Sequence, residues 1–111
     1  MSSALTIQNW ATQTRRALSA TEVVTRLAAL DGWHLTGDGP AVAIEKRFSF
    51  ANYFETLAFV NAVAFIAHRH DHHPELQVYY NRCVVRFNTH DVAGISSTDF
   101  DCAAQVDALL A

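Results

Sequence analysis

The sequence predicts an α+β fold: one four-stranded antiparallel sheet with its helices packed on one face. Three observations carry this. Residues 41 to 50, AVAIEKRFSF, and 83 to 89, CVVRFNT, alternate apolar and polar residues with the period of a strand. Between them, residues 51 to 70 contain neither Gly nor Pro and repeat apolar side chains at helical spacing. Turn chemistry at 37 to 40, GDGP, and at 81 to 82, NR, stands where two hairpins would reverse. The resulting order is helix, two strands, long helix, two strands, helix. Such an order closes as one sheet backed by helices, with the opposite face left for a ligand or a partner.

Each element has its own justification. Residues 1 to 18 show no clean period and are expected to form an N-terminal arm with Trp10 docked; no chemistry is assigned to it. The domain proper runs from 19 to 111. Ser19 followed by Glu22 has capping-box spacing, and Val23, Val24, Leu27 and Leu30 continue at helical intervals to a stop at Gly32, giving a helix over about 20 to 30. GWHL at 32 to 35 opens the first hairpin, which spans 33 to 50. In the long helix, Phe54, Leu57, Ala58, Asn61, Phe65 and His68 line one face, while Phe59, Val63 and Ile66 make the other apolar too. A helix apolar nearly all round is covered on both sides, and in so small a domain the second cover is expected from another subunit. Pro74 disfavours helical backbone at His73, so this helix must end inside the histidine cluster. ELQVYY and CVVRFNT form the second hairpin, with Cys83, Val85 and Phe87 on one face. Ser96 and Asp99 then repeat the capping-box spacing ahead of a closing helix marked by Phe100, Ala103, Ala104 and Leu110.

Composition narrows the function. The 111 residues suffice for one domain with a real core, half of them are apolar, and 17% are charged. The formal charge is −3 and the eight Lys and Arg are scattered, so no basic stripe offers itself to phosphates and direct nucleic-acid binding is not expected. No stretch approaches the length of a membrane span, and the first 18 residues lack the pattern of a secretion signal. Cys83 and Cys102 have no C-x-x-C spacing and fall in apolar settings, as reduced core thiols of a cytoplasmic protein would.

The chemistry concentrates at HRHDHHP, 68 to 74, which holds four of the six histidines. A metal site is the first alternative. The His-x-His-x-Asp-His pattern of dinuclear zinc hydrolases needs Asp at 72 and His at 73 here, and the chain has Asp71 and His72 instead. A site built from His68, His72 and His90 stays geometrically open, since 68 and 72 share a helical face. The second alternative is proton transfer: imidazole gives or takes a proton near neutrality, and adjacent imidazoles disfavour double protonation, which suits a dehydration. A histidine run at a helix C-terminus can also serve only the helix dipole and solubility, and His70 fits that role best.

The wider constellation decides between them. HHPE at 72 to 75, YNR with Val85 at 80 to 85, THD at 89 to 91 and GISSTDF at 94 to 100, with GW at 32 to 33, FSF at 48 to 50 and FVN at 59 to 61, resembles the pterin-4a-carbinolamine dehydratase family from about Gly32 to Asp107. Bifunctional animal members of that family also serve as dimerisation cofactor of a homeodomain transcription factor. The resemblance implies an essential histidine doublet at His72 and His73, a third active-site histidine at His90, an aspartate at Asp99 and a pocket tryptophan at Trp33. Many members carry an acidic residue four positions before the doublet, where this chain has His68, and Asp71 is placed to supply part of that missing charge.

The bland alternatives remain in view. Asp99 stands where an acid caps a helix, Trp33 at a strand start could be plain core with an indole N–H seeking a partner, and His90 ends a strand where a surface histidine is ordinary. What the resemblance implies is loss of water from 4a-hydroxytetrahydropterin to give quinonoid dihydropterin, with no metal or organic cofactor. His72 and His90 would be the acid/base groups, His73 the group that binds and polarises substrate, and Trp33 a pocket wall. The substrate is a small pterin, the assembly a homodimer or homotetramer, and phenylalanine hydroxylase the candidate partner whose pterin is recycled. The alternative is a non-catalytic protein-binding or assembly factor on the same fold.

Overall fold

A computed structural model describes residues 15–111, so the expected arm and its Trp10 lie outside the described residues apart from 15 to 18. Helix α1 is Ala20–Leu27, strand β1 His34–Thr36, β2 Ala43–Ser49, helix α2 Tyr53–His70, β3 Glu75–Val78, β4 Arg82–Phe87 and α3 Ser97–Ala108. Short 3₁₀ turns at Gly39–Ala41 and His90–Val92 precede β2 and follow β4. All four strands pair antiparallel in the order β1-β2-β4-β3. The expected α+β class and its single four-stranded sheet are what the chain forms. None of the helices among the described residues is long and apolar enough to cross a membrane.

Local chemistry explains the boundaries. Ser19 and Glu22 form the reciprocal capping box that starts α1, and α1 ends three residues earlier than its apolar spacing suggests, running out through turns to Gly32. Asn52 caps α2 by accepting from the Glu55 N–H at 2.9 Å. The second hairpin turns at Tyr80 and Asn81, one residue before the expected NR. The Tyr79 N–H donates to the Arg82 carbonyl at 2.9 Å, which commits Arg82 to β4.

The core lies between the sheet and the two longer helices. Cys83, Val85 and Phe87 of β4 and Ile44 and Phe48 of β2 meet Phe59, Val63 and Ile66 of α2 and Phe100, Ala103 and Val106 of α3. The inward face of α2 is thus the Phe59 stripe, and Phe54, Leu57 and Phe65 look outward, Phe54 at 74% exposure. Trp33 sits just before β1 and is buried. Its indole N–H is shared between both Asp107 oxygens at 3.1 Å, and its ring packs against Phe48 and Phe87.

The end of α2 positions the site. Asp71 adopts the left-handed conformation (φ 48°, ψ 45°), its N–H reaches the His68 carbonyl at 3.3 Å, and the His72 N–H reaches back to the Ala67 carbonyl at 3.0 Å. This is a Schellman ending, in which two nested hydrogen bonds close the last turn and reverse the chain. His72 therefore leaves the helix and turns inward, and Pro74 carries the chain on into β3.

Candidate active site

His72 is 7% exposed, and its ring lies nearly parallel to that of Phe87, with an interplanar angle of 9° and centroids 6.1 Å apart. Its Nε2 stands 2.5 Å from Oδ1 of Asp99, which is itself fully buried. The other oxygen of Asp99 accepts from the Thr89 hydroxyl at 2.7 Å and from the Ser96 N–H at 2.9 Å. With the Thr89 proton given to the carboxylate, the Ser96 hydroxyl donates to Thr89 Oγ1 at 2.6 Å. Every partner of Asp99 is a donor, the arrangement a buried carboxylate requires. Capping and active-site support are thus one residue's two tasks, divided between its two oxygens.

This fixes the chemistry of His72. A carboxylate accepts only, so Nε2 carries the ring hydrogen and Nδ1 keeps its lone pair. Nδ1 lies 3.4 Å from Nη1 of Arg15, and a guanidinium only donates, so both neighbours specify the same tautomer.

His72 contributes to the wall of an open cavity of about 470 Å³ lined also by Arg15, Asp71, His73, Asn88, His90 and Asp91. A second hollow of about 380 Å³ shares His73, Asn88 and His90 and extends to Pro40, Ala41, Glu75 and Arg86. The two form one cleft, within the size range of small-molecule sites. His73 and His90 are exposed at its rim, His73 from the turn before β3 and His90 from the 3₁₀ turn after β4. Three imidazoles from two separate segments thereby face one space, one buried and two open to solvent.

The remaining expected residues sit elsewhere. Trp33 is part of neither cavity lining; it stands behind Phe87, which in turn backs His72. His68 is exposed on the last turn of α2 and also lies outside both linings, whereas Asp71 belongs to the first. Among the described residues no three His, Cys, Asp or Glu side chains are grouped to hold a metal ion. Burial, helped by the nearby Asp99 and Asp101 carboxylates, pushes the Cys102 thiol up to about 12, and burial raises that of Cys83. Neither is a nucleophile at neutral pH.

Sequence reasoning missed Arg15, Thr89 as a partner of Asp99, and Asn88. Thr89 and Asn88 flank the His90 motif and were within reach of it. Arg15 had no signal beyond being a cation in a segment without periodicity.

Comparison with known proteins bears on the family and the fold. The family model described as pterin 4 alpha carbinolamine dehydratase matches residues 16–109. A Paracidovorax citrulli protein provisionally named pterin-4-alpha-carbinolamine dehydratase is 68% identical over 110 residues, covering 99% of this chain and 95% of the relative. A Bdellovibrio bacteriovorus protein with the same provisional name is 55% identical over 98 residues, 85% of this chain and 78% of that one. Among solved structures, a transcriptional coactivator/pterin dehydratase from Brucella melitensis superposes with a TM-score of 0.78 at 32% identity, covering 84% of this chain and 97% of its own. A pterin dehydratase-like protein identified as a RuBisCO assembly factor in the alpha-carboxysome superposes with a TM-score of 0.60 at 26% identity, covering 70% and 88%.

Proposed function

The chain belongs to the pterin-4a-carbinolamine dehydratase family, and from that premise we propose that it dehydrates 4a-hydroxytetrahydropterin to quinonoid dihydropterin and water. The observation that carries the reading is the histidine trio on one cleft, with its inner member oriented by a buried carboxylate.

The reaction breaks the bond between C4a and its hydroxyl. A proton must reach the departing oxygen, and the ring nitrogen beside C4a must lose its own as the C=N double bond forms, so water leaves and no electrons are exchanged with an outside reagent. An acid and a base are needed on either side of one small, flat substrate. His72 offers an accepting Nδ1 held by Asp99. His90, exposed on the opposite segment, is the second acid/base group, and His73 binds and polarises the pterin. Proton transfer suffices for this balance, so the reading calls for no metal or organic cofactor. In the cell the activity would recycle the pterin of an aromatic amino-acid hydroxylase, phenylalanine hydroxylase being the candidate partner, in the cytoplasm and as a homodimer or homotetramer.

The deciding experiment follows dehydration of freshly generated 4a-hydroxytetrahydropterin by ultraviolet absorbance, with the protein pretreated with a chelator. Acceleration that survives the chelator supports proton-transfer catalysis. A folded protein that does not accelerate the reaction would sink the proposal, and restoration by zinc would point to the metal alternative.

One observation favours a second reading. Phe54, Leu57 and Phe65 leave an apolar face of α2 uncovered in the single chain, and one structural neighbour is the pterin dehydratase-like protein identified as a RuBisCO assembly factor. On that reading the chain works through protein contacts at this face and catalysis is absent.

A further inference from the structure

Two arginines stand side by side before α1, and they do different things. Arg16 is exposed and pairs with Glu22 through two hydrogen bonds, at 2.7 and 2.9 Å. Arg15 turns the other way. Its Nη1 lies 3.4 Å from His72 Nδ1, its Nη2 lies 3.5 Å from the carbonyl of His70, the last residue of α2, and its side chain lines the larger cavity.

This placement is anchored. The Leu18 N–H donates to the Ile95 carbonyl at 2.8 Å, Leu18 packs against the core, and Ala17 lies over Gly94, within 3.5 Å of where a Cβ there would stand. The segment before α1 is thereby fastened to the loop that leads into Ser96 and Asp99. The loop that leads into α3, whose first turn supplies the acceptor for His72 Nε2, thus holds the segment that supplies a donor for Nδ1.

We infer that Arg15 is a positioning residue of the active site, holding the His72 ring between its own guanidinium and the Asp99 carboxylate and so presenting Nδ1 as an acceptor. This rests on the dehydratase reading. An acceptor at Nε2 and a donor at Nδ1 leave the ring a single tautomer and a single orientation; with Asp99 alone, the ring keeps its tautomer and can still swing about the Nε2 contact. At 3.4 Å the Arg15 contact is long, so an incoming substrate proton can displace it without a large loss. The other charged and titratable groups around this cavity are Asp71, His73, His90 and Asp91. The guanidinium also faces the carbonyl end of α2, where a cation is favoured.

The test compares Arg15→Ala, Arg15→Lys and, as a control, Arg16→Ala. Arg15→Ala should lower kcat roughly 10- to 100-fold, the scale of a displaced catalytic group, with KM nearly unchanged. Free guanidinium, well below denaturing concentration, should restore part of the rate of Arg15→Ala and none of that of His72→Ala. Arg15→Lys should fall between, and Arg16→Ala should match wild type. An unchanged kcat in Arg15→Ala, or a rise in KM alone, would overturn the assignment. A second readout does not depend on turnover: in nitrogen-15 spectra of the imidazoles, the Nδ1 resonance of His72 should move when Arg15 is removed and Nε2 should remain the protonated nitrogen. An unmoved Nδ1 signal refutes the contact even if wild type proves inactive, whereas wild-type inactivity with a moved signal refutes the dehydratase reading alone.

Discussion

Asp99→Asn changes one atom type at the most constrained position of the site. The amide must face three donors, one on the His72 side and two on the other, with one oxygen and one NH₂. If the amide oxygen stays toward His72, the NH₂ meets the Ser96 N–H, now 2.9 Å from Oδ2, and a buried backbone donor loses its acceptor. That costs about 1–3 kcal/mol. If the amide flips, its oxygen serves Ser96 and Thr89, and the NH₂ faces His72 Nε2, which must then give up its hydrogen and become the acceptor. A histidine tautomer changes more cheaply than a backbone N–H goes unpaired, so the flipped form should prevail. Nδ1 then carries the hydrogen, confronts the Arg15 donors 3.4 Å away, and can no longer accept a proton. The charge-assisted bonds to the carboxylate are lost in either case, so stability should fall by about 1–3 kcal/mol, roughly 4–15 °C in Tm for a domain of this size. The rate should fall much further, about 10²- to 10⁴-fold, as the base is presented in the wrong tautomer. Thermal melts by circular dichroism give the first number and initial dehydration rates the second. A folded Asp99→Asn protein that turns over within a few-fold of wild type would refute the tautomer argument.

Other outcomes follow from neighbouring features. His73→Ala, at an exposed rim position, should abolish turnover while the melting curve stays within a degree or two of wild type, about the range of a neutral surface change; an active variant would overturn the site assignment. Gly37→Ala should destabilise by at least about 1–2 kcal/mol, because Gly37 has φ +78° and a Cβ there would stand 2.3 Å from the Ala41 carbonyl oxygen; denaturant melts at matched slope measure it. Ala93→Gly should do the reverse and add up to about 1 kcal/mol, since Ala93 holds a left-handed φ of 50° without a glycine. The Cys102 thiol, raised to about 12 from an ordinary 9, favours the folded state most below pH 9, and that contribution is lost as pH rises from 9 through 12. Native protein should therefore resist alkylation at pH 9, and rapid labelling of Cys102 before unfolding would contradict its burial.

The fold was largely legible in the sequence, for a physical reason. Strand and helix periods are local, and CVVRFNT placed Cys83, Val85 and Phe87 on one face, where they are indeed buried. The two capping boxes and Pro74 marked ends that local sterics impose. Where the reading slipped, strand pairing won: with Val78 opposite Cys83 and Glu75 opposite Arg86, the second hairpin turns at Tyr80 and Asn81, a residue early, because the ladder, not the turn residues, set the register. The outward face of α2 showed the opposite limit. Its apolar character is plain in the sequence, but period alone cannot tell a core stripe from one that faces out, and the Phe59 side was chosen by packing on the sheet.

The site was legible as a set of residue types and not as a circuit. The three histidines could be named from motif spacing, but what orients the inner one comes from 27 residues downstream, through Asp99, and 57 upstream, through Arg15. The family pattern suggested support from four residues before the doublet, where this chain has His68 on the exposed side of α2. The Schellman ending explains why support can come from elsewhere. Once the chain reverses at Asp71, His72 no longer continues the helical face that His68 occupies, and its ring enters the space between Phe87 and the start of α3. There the nearest acid is the one that already caps α3. A carboxylate held by Thr89 and the Ser96 N–H is fixed before substrate arrives, so the base it orients is fixed too, which a flexible acid on the exposed helix turn would not ensure. The same reasoning says that restoring an acid at the helical position, His68→Glu, should change the dehydration rate by no more than a few-fold. A large gain in kcat from that variant would mean that the helix face still reaches His72 and that the Asp99 route is secondary.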